Sequence, residues 1–220
     1  MLVVIGGGQV GGYHTRQLLK AIRAGDIAGE RLLVVDRDQS CPAFRDFAGT
    51  PEVSLELAEW SEFLQGWLPQ ASARDRLIPT PWAPHLLSGW LARDLGAEVI
   101  EPPRNWRLPY EVVSGRTVYL SAAAWACPAT CIEPAHCPVL HGPRDWDLGD
   151  MIEAEARARD YRPLVFRLRQ LGGGVAGVKV GEILEGRAAL GRIAQGRALV
   201  GTSSRCHAAV NAIRIFTIAL

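Results

Sequence analysis

Lysine is nearly missing from this sequence: Lys20 and Lys179 are the only two among its 24 basic residues. No run of five or more like charges occurs and the net charge is +1, so there is no continuous basic track for a phosphate backbone or an anionic membrane. Nucleic acid and membrane are therefore not expected partners. The preference for arginine is the usage expected of a G+C-rich bacterial genome. No segment approaches the roughly 18 consecutive apolar residues of a spanning helix, and the sequence enters directly on a strand-like run, so a cytoplasmic protein is expected. Five cysteines are too few, too clustered and odd in number for a disulfide framework. Metal or thiol chemistry becomes the question instead. Internal repeats and low-complexity tracts are also lacking.

What is there is apolar and punctuated. With 48% hydrophobic residues the chain can bury a substantial core. Short β-branched runs alternate with amphipathic stretches, the pattern of a parallel sheet covered by helices. The expected fold is α/β, a Rossmann-like parallel sheet with helices on both faces and an irregular cysteine-rich loop on its carboxyl edge. Strands are expected at residues 2–5, 32–36, 51–57, 76–78, 97–100, 117–121, 164–166 and 198–200. Helices are expected at 12–24, 59–68, 84–95, 148–159 and within 179–195, with a last one beginning near Cys206. The composition changes after Trp125, which divides the chain into a dinucleotide-binding region, 1–125, and a cysteine-loop and C-terminal region, 126–220, packed as one globule.

Gly6-Gly7-Gly8-Gln9-Val10-Gly11 satisfies G-x-G-x-x-G between a strand and a helix, the context that gives the pattern meaning. Gly6 permits the tight turn, Gly8 lets the backbone approach a pyrophosphate, and Gly11 allows helix and sheet to pack closely. The free N–H groups at the helix start supply an anion site, and Gln9 and Val10 of the turn are expected to bind the cofactor with the glycines. Asp36 ends the second strand at the distance expected of an acid that binds a ribose 2′-hydroxyl, which favours NAD; the neighbouring Arg37 suits the 2′-phosphate of NADP. Flavins and S-adenosylmethionine use similar turns. The run Val3-Val4-Ile5-Gly6-Gly7-Gly8-Gln9-Val10-Gly11 followed by Val34-Val35-Asp36-Arg37-Asp38 resembles the nucleotide-binding segment of the regulators of potassium conductance and uptake. The likeness covers residues 1–40 and implies NAD-type binding at Gly6, Gly8, Gly11 and Asp36.

Cys127, Cys131 and Cys137 form C-x3-C-x5-C in a proline-rich stretch, and Cys206-His207 follows a later strand. Four thiolates suit an iron–sulfur cluster or tetrahedral zinc; three with His136, His141 or His207 suit zinc. A redox dithiol and plainly buried cysteines are the other readings. Cys206 at a helix start, with His207 as proton partner, is a weaker candidate for a reactive thiolate. Thr202-Ser203-Ser204 reads as a helix cap or, second, as donors to a phosphate or carboxylate, His85 as a packed histidine or one facing a cleft, and Arg144-Asp145-Trp146 as a clamp closing the cysteine loop.

Together these features predict an NAD(P)-dependent oxidoreductase with a cysteine-ligated iron–sulfur or zinc site. The alternative is a non-catalytic nucleotide-binding sensor with a structural metal. Expected partners are an adenine dinucleotide and a small substrate or redox partner, with homo-oligomerisation left open.

Overall fold

A computed structural model describes residues 1–27, 31–79, 85–125, 127 and 131–216. In its first half the order is β1 (Leu2–Ile5), α1 (Gln9–Ala24), β2 (Leu32–Asp36), α2 (Pro42–Phe47), β3 (Val53–Leu57), α3 (Trp60–Trp67), β4 (Arg76–Pro79), α4 (Leu86–Asp94) and β5 (Glu98–Ile100). There follow β6 (Tyr110–Ser114), β7 (Thr117–Ser121), β8 (His136–Cys137), β9 (Gly142–Pro143), α5 (Leu148–Ala158) and β10 (Arg162–Arg167). The chain continues with β11 (Arg169–Gly172), β12 (Val175–Lys179), α6 (Val180–Gly191), β13 (Gly196–Ser203) and β14 (His207–Ile215).

Two compact units result, one made of residues 1–83 and 169–184, the other of 84–168 and 185–220. The division does not fall at the composition change after residue 125. The β11–β12 hairpin is the reason: it returns to pair with β4 and so joins a late segment to the first unit.

In the first unit the strand order is β11-β12-β4-β1-β2-β3. β4, β1, β2 and β3 are parallel, and β1 is buried at all four residues, as its unbroken Leu-Val-Val-Ile run requires of an interior parallel strand. The first two strands of the order, β11 and β12, form an antiparallel hairpin through a turn in which Gly172, Gly173 and Gly174 all have positive φ, and β12 also runs antiparallel to β4. α1 buries Leu18 and Leu19 against Leu2, Val4, Leu32, Val34 and Ile78. It stops at Gly25, whose left-handed conformation turns its N–H back to the carbonyls of Ala21 and Ile22. Gly177 of β12 leaves room for β4: a Cβ there would lie 2.9 Å from the Leu77 carbonyl oxygen. Because that oxygen is backbone inside a sheet, relief means shifting the ladder. Gly177→Ala is expected to lower the unfolding free energy by about 1–3 kcal/mol, read as a lower urea midpoint.

In the second unit the order is β10-β13-β14-β7-β6, with β5 also on β14. Among the described residues of this sheet only β10 and β13 pair in parallel. Trp106, Val118, Leu120, Leu199, Val210 and Ala212 form its core under Leu148, Ile152 and Ala156 of α5. The Asp147 carboxylate caps α5 by accepting from Gly149 N and Asp150 N.

The fold is thus mixed α/β, with sheets of parallel and antiparallel strands. Two expectations fail for the same reason. The helix expected near Cys206 is the strand β14, which pairs antiparallel with β13 from Ser203↔Ala208 to Gly196↔Ile215. Thr202 and Ser203 lie inside β13, so they cap nothing. The alanines of β14 favour helix locally, but Ala208 and Ala212 are buried in a sheet, and that burial overrides intrinsic propensity. Of the expected cysteine loop, Ala126 and residues 128–130 lie outside the described residues, and β8 and β9 form a small hairpin beyond them. Among the described residues no helix is long and apolar enough to cross a membrane.

Candidate functional site

The glycine turn sits at the carboxyl end of β1. Gly6 has a φ of 95°, which a side chain would strain, and its N–H donates to the Val35 carbonyl at 2.8 Å, tying the turn to β2. Gly7 N donates to Asp36 Oδ2 at 2.5 Å, while Asp38 N donates to Oδ1 at 2.8 Å. Gly7 has no room for a side chain, since a methyl would run into Cys41 Sγ and its carbonyl accepts from Ala43 N at 2.9 Å. Gly8 is the opposite case. It is exposed, nothing lies within 4 Å of where its Cβ would stand, and it begins α1 without any side-chain cap. Among the described residues no side chain caps the N–H groups at the start of α1, with Gln9 exposed and Val10 half-buried. Gly11 is buried in the helix, where its carbonyl accepts from Thr15 Oγ1 at 2.8 Å.

Asp36 is only 6% exposed, yet each carboxylate oxygen receives one backbone N–H. A carboxylate offers about four acceptor positions, so the acid retains capacity for hydroxyl donors. Next to it in register is Leu57 at the end of β3, 56% exposed, and Ala58 N donates to the Asp36 carbonyl at 3.0 Å. A buried acid beside an exposed apolar shelf suits a sugar joined to a flat base. Arg37 is occupied elsewhere: its guanidinium lies 5.2 Å from the Trp60 ring and 4.0 Å from a Glu59 carboxylate oxygen.

In the second unit Cys127, Cys131, Cys137 and Cys206 are all free thiols. Cys131 Sγ accepts from Glu133 N at 3.4 Å, and Glu133 in turn accepts from Arg205 N at 3.0 Å, bringing the 131–137 segment to Cys206. Trp146 Nε1 donates to Cys206 Sγ at 3.4 Å. Burial pushes the Cys127 thiol up, reinforced by the nearby charges of Cys206, Cys131 and Cys137. Burial also raises Cys206, against the opposing pull of the Trp146 N–H and the Arg144 guanidinium. Cys137 is lowered, first by the backbone N–H of Leu140 and then by that of Val139 and by Arg144. Thiols raised by burial are poor nucleophiles, which removes the reactive-thiolate reading of Cys206 along with its helix.

Arg144 lies in the middle of this group. It is 7% exposed; its backbone N–H donates to Ala135 O at 2.7 Å, its Nη1 to Pro134 O, and its guanidinium lies 5.9 Å from the Trp146 ring. Among the described residues its buried Nε and Nη2 have no hydrogen-bond partner. Burial alone would lower its pKa, but the charges of Cys206, Cys131, Cys137 and Glu133 outweigh that and raise it. Among the described residues no group of three or more His, Cys, Asp or Glu side chains is already arranged to hold a metal ion.

The family model AF_1314_C, described as "Uncharacterized protein, C-terminal domain", matches residues 82–216. The chain belongs to this family. No curated protein and no solved structure matches the chain. The family region contains the four thiols and Arg144, and the glycine turn with Asp36 lies outside it. His85 is also inside it, buried: Asn211 Oδ1 is 2.9 Å from Nδ1 and Thr202 Oγ1 is 2.8 Å from Nε2. Since Oδ1 only accepts, the ring is the Nδ1–H tautomer and Nε2 takes the Thr202 hydroxyl proton. Burial lowers its pKa to about 4, so it is a neutral, packed group near pH 7. His136 and His141 are exposed. A cavity of about 410 Å³ bordered by Trp106, Glu155 and Arg159 lies in the same region. Its wall is already paired, Arg159 bonding Glu155 and the carbonyls of Arg104 and Asn105.

Sequence reasoning had Gly6, Gly8, Gln9, Val10 and Gly11 in one turn and Asp36 and Arg37 at the end of the next strand, and the structure brings all but the Arg37 side chain together. It missed Gly7, whose role depends on Cys41 and Ala43, and Leu57, which only the β2–β3 register places beside Asp36.

Proposed function

We propose that this chain binds an adenine dinucleotide, NAD(H), on a Rossmann-like first unit. The supporting observation is the open, uncapped start of α1 at Gly8, with Asp36 held by Gly7 on the adjoining parallel strand. The strand order β4-β1-β2-β3 fits this reading, because ligands of such sheets sit beyond the carboxyl ends of the parallel strands. The diphosphate lies on the helix N–H groups, the adenosine ribose on Asp36, and the adenine on Leu57. Asp36 favours a 2′-hydroxyl over a 2′-phosphate, and the engagement of Arg37 with Trp60 and Glu59 points the same way. The role that follows is a nucleotide-binding module.

Calorimetry with NAD+, NADH, NADP+, FAD and S-adenosylmethionine tests it. NAD+ or NADH should bind one per chain, about tenfold or more tighter than NADP+, a difference of about 1.4 kcal/mol. Absence of heat with both NAD forms would remove the proposal. The oxidoreductase reading draws on the four thiols that share one neighbourhood. It requires a coloured, redox-active protein that NADH reduces.

A further inference from the structure

We propose that Cys127, Cys131, Cys137 and Cys206 are the four ligands of a single tetrahedral divalent cation of the zinc class, with Arg144 as its buried counter-charge. This site lies in the family region and is independent of the nucleotide reading. Three kinds of observation carry it. The backbone first brings the thiols into one place. Arg144, directly after β9, bonds the carbonyls of Pro134 and Ala135 within the cysteine segment, and Glu133 bonds the backbone beside Cys206. Cys137, in the β8–β9 hairpin, is near enough to feel the Arg144 guanidinium, and its charge in turn acts on Cys127.

N–H donors are also aimed at sulfur: Glu133 N at Cys131 Sγ and Trp146 Nε1 at Cys206 Sγ, both at 3.4 Å. Such donors stabilise thiolate rather than thiol, and orient ligands around a metal. Finally, Arg144 is a buried cation with two unpartnered nitrogens among these sulfurs. A buried guanidinium with donors unpartnered among the described residues is costly unless negative charge faces it, and Glu133 is a single carboxylate that Arg205 N also engages. Four thiolates on one divalent cation carry a net charge of −2, which supplies that partner: Zn²⁺ and four thiols give the tetrathiolate and four released protons. Among the described residues the sulfurs are not already grouped in coordinating positions, so the proposed site requires them to close around the ion when it binds. Four cysteines leave no open position for water or substrate, so the site is structural.

Protein purified under reducing conditions without chelator or added metal should contain one zinc per chain and negligible iron. Cys131→Ser and Cys137→Ser should each lose most of it, and Cys41→Ser should retain it, since Cys41 packs against the glycine turn. Should the cysteine variants fail to fold, the wild-type protein decides the matter. Stripped with chelator and given Co²⁺, it should develop the absorption bands of tetrahedral cobalt thiolate. Arg144→Met should weaken zinc affinity about tenfold or more in a competition titration with a chromophoric chelator. The proposal falls if stripped protein gives no thiolate bands with Co²⁺, if Cys131→Ser keeps full zinc, or if the protein is brown with iron and acid-labile sulfide. The last result would assign the same sulfurs to a cluster.

Discussion

Gly8→Ala should leave the protein folded and abolish most of the affinity for NAD proposed above. The two effects separate because the position is open in the free protein and narrow only when a diphosphate is present. Gly8 has φ −64° and ψ −164°, a conformation any residue adopts, and nothing lies within 4 Å of the added Cβ. Replacing glycine at a compatible angle gains roughly 0.4–1 kcal/mol from the unfolded chain. Losing a glycine from the helix cap opposes this by a similar amount, since alanine is a poor N-cap residue. The net change in stability is therefore within about 1 kcal/mol, while a methyl pressed against the diphosphate should weaken NAD binding by about 30-fold or more, about 2 kcal/mol. Paired thermal melts and calorimetry on the variant check this. A stable Gly8→Ala protein with unchanged NAD affinity would show that the turn is only a turn.

The second large effect is acid destabilisation through His85. Its folded pKa is about 4 against an ordinary value of 6.5, so the unfolded chain takes up the proton more readily than the folded one. A lowered histidine contributes stability fully above pH 6.5 and loses it as pH falls toward 4. The gap of about 2.5 units corresponds to about 3 kcal/mol, a large share of the roughly 5–15 kcal/mol that holds a domain together. His14 and His207, both lowered mainly by burial, act in the same direction, so the comparison must be with a variant rather than with pH alone. His85→Gln keeps a neutral donor and acceptor between Asn211 and Thr202. Urea unfolding at pH 7.5 and pH 4.5 should show a smaller pH-dependent loss in this variant than in the wild-type protein. Equal losses would mean that His85 is not the sensitive group. Asn211→Ala should be costlier at any pH, because it orphans the Thr117 hydroxyl, the Arg116 carbonyl and the His85 N–H together, an expected loss of about 3 kcal/mol or more.

The parts of the protein legible in one dimension are those governed by local chemistry. The Leu2–Ile5 run could only be an interior strand, and three glycines between it and an amphipathic stretch could only be a sharp strand-to-helix turn. Asp36 at the end of the next apolar run was visible for the same reason, as were the thiols spaced closely enough to share one loop. Ala208 and Ala212 misled, because alanine carries little strand signal and its place was decided by the pairing of β14 with β13. Arg144 read as a clamp. That it is a buried cation with unpartnered nitrogens among sulfurs depends on groups up to 62 positions away, such as Cys206.

By itself, then, the order of residues determined the glycine turn, its acid and the clustering of three cysteines, since each depends on neighbours within a few positions or on one strand–helix–strand repeat. The tertiary structure alone decided that β11 and β12 join the first sheet, that Leu57 stands beside Asp36, that His85 is neutral, and that Cys206 meets the cysteine segment around Arg144. These depend on which distant segments share hydrogen bonds and exclude water, and that is a property of packing rather than of any local run.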